Sequence, residues 1–159
     1  MDLSARHRMA LAAFGSLLLL AGAYLFQALG HAPCQMCLWQ RWPHFAAIAL
    51  GIVAFVRPGR AVAMAGAAAV ATSGGIGLYH TGVERGWWAG PSACSGGGDG
   101  VAGMSGADLL STDLAGRVVM CDEVSWAFAG LSMATWNAVL SFALAALWAS
   151  AIGGRTWRR

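Results

Sequence analysis

The sequence predicts an all-α membrane protein: a four-transmembrane-helix bundle with a long outer loop carrying a short amphipathic helix. Three observations predict it. The chain is 58% hydrophobic and only 11% charged, with mean hydropathy +0.59, whereas soluble domains carry about 25% charged residues. Four apolar stretches approach the roughly 20 residues that cross a bilayer. The arginines sit at the ends of those stretches, where they set membrane topology. They do not gather on one polar face, so the net charge of +3 does not indicate nucleic-acid binding. The 159 residues suffice for a single integral membrane domain, 1–159.

The spans are predicted at about 9–29, 38–56, 61–80 and 131–152. The second is the weakest. Its apolar core starts at Trp42, with Pro43 and His44 just inside, and Pro is tolerated in a helix's first turn. Extension back to Leu38 supplies the length but brings in Gln40 and Arg41, which should face the bundle interior or the headgroups. Arg6, Arg8, Arg57, Arg60, Arg155, Arg158 and Arg159 fall on one side. That side should be cytoplasmic and holds both termini. Arg41, Arg85 and Arg117 lie on the other side with six of the seven acidic residues. An alternative reading of the first span is a cleaved signal peptide, with small residues near Gly30 and Ala32. Its apolar run exceeds the roughly 7–15 residues usual for a signal.

Two outer loops are expected, about 30–37 and 81–130. In the long one, Trp87 and Trp88 suit the headgroup zone. Ser95 to Gly106 is Gly/Ser-rich, a flexible composition. From Ala107 to Met120, leucines and valines alternate with Asp108, Asp113 and Arg117. That spacing fits an amphipathic helix on the membrane surface or packed on the bundle.

Four cysteines in two unlike pairs fall in these loops. Cys34 and Cys37 form Cys-Gln-Met-Cys at the outer end of the second span; Cys94 and Cys121 are far apart in the long loop. Outside the cytoplasm disulfides form and persist. Four cysteines permit three pairings, and proximity favours Cys34–Cys37, leaving Cys94–Cys121. A Cys-x-x-Cys pair is typical of redox-active thiols with lowered pKa, and Arg41, one turn after Cys37, is placed to stabilise a thiolate. A bridge from Cys94 to Cys121 closes a long loop and, if mobile and exposed, is open to thiolate attack. The plain alternative is a staple. Cys-x-x-Cys is also half of a zinc motif, but Cys94 and Cys121 lack the close spacing of a second half.

These residues carry a resemblance. The order Pro33-Cys34-x-x-Cys37 with Gln40-Arg41, then Tyr79-His80-Thr81, then Cys121-x4-Trp126-x-Phe128-x-Gly130-Leu131-x-Met133-x2-Trp136 resembles the DsbB family. These are inner-membrane thiol:quinone oxidoreductases that reoxidise a periplasmic DsbA-like thiol oxidase. The resemblance covers nearly the whole chain. It implies a multi-pass protein of the bacterial inner membrane with periplasmic cysteines, and ubiquinone or menaquinone as cofactor. It also implies Cys34–Cys37 as the quinone-linked disulfide, Cys94–Cys121 as the partner-linked one, and Arg41 and His80 at the quinone. Trp126 and Trp136 are expected as interface anchors and core, Met36 and Met133 as filler in the lipid zone, and His44 as local packing.

Two competing functions are weighed. A non-catalytic membrane subunit or assembly factor would use the loop disulfide as a staple, and loss of either pair would harm folding but not redox flow. A reductant passing electrons outward would need an inner-side thiol, and no cysteine lies on the predicted inner side. A vitamin K epoxide reductase relative would carry its Cys-x-x-Cys late in the chain, whereas here it comes early.

Overall fold

The computed structural model describes residues 4–91, Cys94 and residues 119–153. The Gly/Ser-rich stretch, the expected amphipathic helix and the arginines at 117, 155, 158 and 159 lie outside the described residues. Four long helices form the body: α1 (Ala5–Ala28), α2 (Gln35–Val56), α3 (Arg60–Glu84) and α4 (Met133–Ser150). Among the described residues α1, α3 and α4 are long and apolar enough to cross a membrane. The chain is a membrane protein, with Leu18, Ile52, Phe55 and Val56 among many apolar side chains exposed on the bundle's outside.

Local sequence sets the helix ends. The Ser4 hydroxyl accepts from the His7 amide and caps α1, a role that suits serine at an N-cap. Gly30, at φ 97°, turns the chain out of α1, and the His31 amide reaches back to the Phe26 carbonyl. The third helix runs to Glu84, past the expected 80. It ends where Gly86, at φ 68°, lets the Trp87 amide bond the Gly82 carbonyl at 2.8 Å. A left-handed glycine closing such a backward bond is a frequent helix stop.

Two expectations are corrected. Helix α2 begins at Gln35, so Pro43 lies inside it, not in its first turn. Within an α-helix a proline leaves the carbonyl four residues earlier without its usual donor. The fourth helix starts at Met133, not at 131, because Leu131–Ser132 (β2) pairs with Ala127–Phe128 (β1) in a two-residue antiparallel ladder. Its turn residues Ala129 and Gly130 have φ 52° and 76°, the positive values of the tightest hairpin turns. Ser132 then caps α4 by accepting from the Thr135 amide at 3.2 Å.

The helices form a ring in which each packs on its sequence neighbours and α4 returns to α1, while α1 and α3 barely meet. Ala63, Gly66, Val70, Ser73, Gly74 and Gly77 make the buried stripe of α3. Small residues let helices in membranes approach closely. A Cβ on Gly66 would sit 2.5 Å from the Trp148 ring of α4. This ring arrangement brings the start of α2, the end of α3 and the hairpin together at one end. Arg8, Arg57 and Arg60 mark the other.

Candidate active site: two cysteine pairs beside an apolar cavity

Cys34 is the N-cap of α2: its Sγ accepts from the Cys37 amide at 3.3 Å. The two sulfurs are 3.1 Å apart, with the pair in its dithiol form. A helix N-terminus offers unpaired N–H groups and a positive dipole end, which favour a thiolate. The Cys34 thiol is held well below its ordinary range, first by the hydrogen bond from Cys37. Burial opposes this, and His80 reinforces it. The His80 Nε2 lies 3.5 Å from Cys34 Sγ.

Cys94 and Cys121 are joined in a disulfide with Cα atoms 5.1 Å apart, which establishes the pairing that proximity favoured. The Cys121 amide also bonds the Cys94 carbonyl at 3.2 Å. The bridge is not exposed as expected. Cys94 is 3% and Cys121 1% accessible, packed with Cys34, Met36 and Val83 in one buried cluster. Met36 is therefore filler for the thiol site, not for the lipid zone. The Gly/Ser-rich composition beside Cys94 gave no sign of this, because burial comes from docking on α2 and α3. His80 links the two pairs: its Nε2 is 3.1 Å from the Cys121 carbonyl oxygen and 3.9 Å from Glu84 Oε1. Glu84 in turn accepts from the Ser132 hydroxyl. Cys34, Cys37 and His80 also bring ligand atoms within 4.8 Å of one another, close enough to hold a metal ion. A metal there would occupy both thiols and compete with disulfide chemistry.

The protonation of His80 is set by its neighbours. The Gln40 amide donates to the Met36 carbonyl at 3.2 Å and faces His80 Nδ1 at 3.0 Å, while its oxygen accepts from Asn137 at 2.6 Å. With the amide so oriented, Nδ1 accepts and the ring proton lies on Nε2, pointing at Cys34 and Cys121. A second histidine extends the network. His44 Nε2 contacts Asn137 Oδ1 at 3.2 Å, Ser73 Oγ at 3.1 Å and Ser141 Oγ at 3.2 Å. Gln40, Ser73 and Asn137 were not assigned roles from sequence, and His44 was expected only as local packing. The available signal was their polarity inside apolar spans, which marks groups that must face the bundle.

Next to the thiols is a cavity of about 220 Å³. Leu18, Leu19, Phe26, Trp126, Trp136 and Leu140 give apolar walls. Cys37, Arg41 and His44 supply reactive and polar groups. Arg41 donates to Gln27 Oε1 at 2.8 Å, and its guanidinium lies 4.7 Å over the Tyr24 ring. Phe26 packs on Trp126 at 4.8 Å. The two tryptophans and Met133 also line the cavity, a contact not assigned to them from sequence. Of the six residues singled out from sequence, Cys37 and Arg41 line the cavity. Cys34, Cys94 and Cys121 cluster behind it, and His80 stands among those sulfurs.

Trp87 and Trp88 belong to the end of α3, where Trp88 stacks on Tyr79 at 5.6 Å and 9° and donates to the Tyr79 carbonyl. Only glycine fits at position 82, since a Cβ there would meet the Trp88 ring at 2.0 Å.

Comparison with known proteins bears on this arrangement. The family described as "Disulfide bond formation protein DsbB" matches residues 5–151. "Disulfide bond formation protein B" of Aromatoleum aromaticum (strain DSM 19018 / LMG 30748 / EbN1) is 37% identical over 128 residues, covering 74% of each chain. No solved structure matches significantly. With two cysteine pairs side by side at one end of a helical membrane bundle, the family match over residues 5–151 and the 37% identical relative place this chain in the DsbB family of disulfide-forming membrane oxidoreductases.

Proposed function

We propose that the protein is a thiol:quinone oxidoreductase. It reoxidises a DsbA-like dithiol oxidase of the periplasm and passes two electrons to ubiquinone or menaquinone in the inner membrane. The observation that carries this reading is the placing of one cysteine pair between two environments. Cys34 is packed with the Cys94–Cys121 bridge, while Cys37 lines the apolar cavity with Arg41.

In the proposed order, a thiolate of the reduced partner attacks the Cys94–Cys121 bond at Cys94, giving a mixed disulfide and freeing Cys121. The partner's second thiolate then displaces Cys94, so the partner leaves oxidised and the loop holds two thiols. Both half-cystines are buried, so the bridge must become accessible before this attack, because exchange requires access to the sulfur. Next a loop thiolate attacks Cys34, the Cys34–Cys37 bond breaks, and Cys37 is released as a thiolate beside the cavity. The second loop thiol then restores Cys94–Cys121 and leaves Cys34 reduced. His80, with its proton on Nε2, donates to sulfur at Cys34 and stabilises negative charge there. This differs from the contact with quinone that the resemblance implies, since His80 faces the sulfurs. Arg41 would hold the ring oxygen and stabilise charge developing on it. The residues fit a quinone head: apolar walls for a flat ring, a guanidinium for an oxygen, and a thiol at the edge. A quinone bound there would take up the two electrons and two protons given up as the Cys34 and Cys37 thiols return to a disulfide, and so become quinol.

Four membrane passes belong to this reading, with α2 as the fourth and the domain spanning 1–159. Helix α2 carries Gln40, Arg41 and His44 turned into the bundle, which allows a less apolar helix to cross. Arg8, Arg57 and Arg60 lie at the end opposite the cysteines, which supports cytoplasmic termini and periplasmic cysteines. The test is quinone reduction by the purified protein with a reduced DsbA-type partner, Cys37→Ser and Cys94→Ser alongside. Turnover lost in both variants is expected. No turnover by folded protein with several such partners would overturn the proposal in favour of a stapled, non-catalytic loop.

A further inference from the structure

One residue of the cavity wall, His44, has no part in the proposed thiol relay. His44 is 2% exposed and lines the cavity, and its Nδ1 has no hydrogen-bond partner among the described residues. A buried polar atom without a partner is uncommon in native structures and needs a reason.

The surrounding network fixes what that atom can do. Asn137 donates its amide hydrogens toward Gln40 Oε1 and Ser73 Oγ, so its Oδ1 is an acceptor. Ser73 gives its hydroxyl hydrogen to the Gln40 carbonyl at 2.9 Å, so toward His44 its oxygen is also an acceptor. The third neighbour of His44 Nε2, Ser141 Oγ at 3.2 Å, gives its hydrogen to Asn137 Oδ1 at 3.4 Å, so Nε2 faces acceptors and carries the ring proton. Nδ1 then presents a lone pair and no hydrogen. It can accept a hydrogen bond and cannot give one.

That distinction separates the two redox forms of a quinone. The oxidised ring has carbonyl oxygens only, which are acceptors and gain nothing from a lone pair. The reduced ring has hydroxyl groups, which are donors. We propose that His44 Nδ1 is the acceptor for a hydroxyl of the bound quinol, so that this wall of the cavity favours the reduced form of the ligand. The inference rests on the reading of the cavity as a quinone site and adds a direction to it: the site holds the product's hydroxyl and biases electron flow toward the ring. No bond to the ring is made or broken by His44, and no proton is transferred in this step.

The test is equilibrium binding without turnover. The full chain carrying Cys34→Ser and Cys37→Ser is titrated with a short-chain ubiquinone analogue, its quinol and the quinol dimethyl ether. With His44 present, the quinol is expected to bind about tenfold more tightly than the dimethyl ether, the order of one net hydrogen bond. In the same background His44→Leu is expected to remove that preference and leave quinone affinity within about twofold. Should His44→Leu fail to fold, the quinol-to-ether comparison decides alone, because it needs no variant at position 44. Binding of all three ligands with equal affinity would overturn the role of His44 and leave the quinone site standing. An equal loss of quinone and quinol affinity in His44→Leu would overturn it in the same way. No binding of any of the three to folded protein would overturn the quinone site, and this inference with it.

Discussion

Toward the end marked by Arg8, Arg57 and Arg60, the bundle core is Ala5, Met9, Ala12, Ala47, Ala54, Ala63, Val70 and Trp148. Toward the cysteine end, the buried residues include Gln40, Arg41, His44, Ser73, His80, Thr81 and Ser141, with Cys34, Cys94 and Cys121 among them. The first half is held by close approach of small residues around one large ring, and its energy is dispersion and packing. The second half is held by a network in which each side chain fixes its neighbour's proton. The difference teaches where tolerance lies. In the packed half a change of volume is felt as lost stability. In the polar half a change of one donor is felt as altered chemistry, with stability affected as well.

The largest break in that comparison is expected from Cys37→Ser. Turnover should fall to background while the melting temperature stays near that of the parent, measured by quinone reduction and thermal unfolding. Next, Arg41→Met is expected to lower turnover by about a hundredfold, the usual scale for removing one charge-stabilising donor. A smaller effect, about tenfold in rate, the order of one net hydrogen bond, is expected from Gln40→Leu. It frees His80 to move its proton to Nδ1 and strips the donor from Cys34.

That third change has its own pH signature. In the reduced parent, Cys34 is ionised across neutral pH because its pKa lies below the ordinary range. Its alkylation rate should therefore stay level as pH falls through neutrality and drop only when pH passes through the lowered value. Stability of the reduced pair gained from the thiolate is lost over the same descent. In Gln40→Leu the fall should begin at higher pH. An unchanged alkylation profile would separate Gln40 from the thiol site. In the packed half, Gly66→Val places carbon against the Trp148 ring and is expected to cost about 1–3 kcal/mol. Turnover per folded molecule should be unaltered. A change in turnover there would erase the distinction between the halves.

Much of this was legible in the sequence, for a physical reason. Span positions follow from hydropathy, and the two unlike cysteine spacings with the Trp126-to-Trp136 stretch carried the family. What was not legible depends on rotation about a helix axis. His80 reads the same whether α3 turns it to the cavity or to the sulfurs, and packing against α2 and α4 decided for the sulfurs. Gln40, Ser73, Asn137 and Ser141 are single polar residues in apolar runs, and their partners lie 29 to 97 residues away in the chain. The hairpin at 127–132 is too short for any period to show. The depth of Cys94–Cys121 was hidden because a glycine-rich flank reads as exposed whatever it docks on.

That hairpin bears on how a ligand gets in and out. Ala129 is the single non-glycine residue with positive φ among the described residues, and a left-handed Cβ residue costs about 1–2 kcal/mol. The ladder it joins has two paired positions. Trp126, which lines the cavity, is tied to this element by the bond from the Met133 amide to its carbonyl at 3.3 Å. A doorway into the cavity is therefore expected on the hairpin side, with Ala129 contributing to its stiffness. Ala129→Asn, which suits the left-handed position, should tighten that doorway and slow hydrogen exchange at the Met133 amide several-fold. Residence of whatever occupies the cavity would lengthen with it, with no contact to the occupant altered.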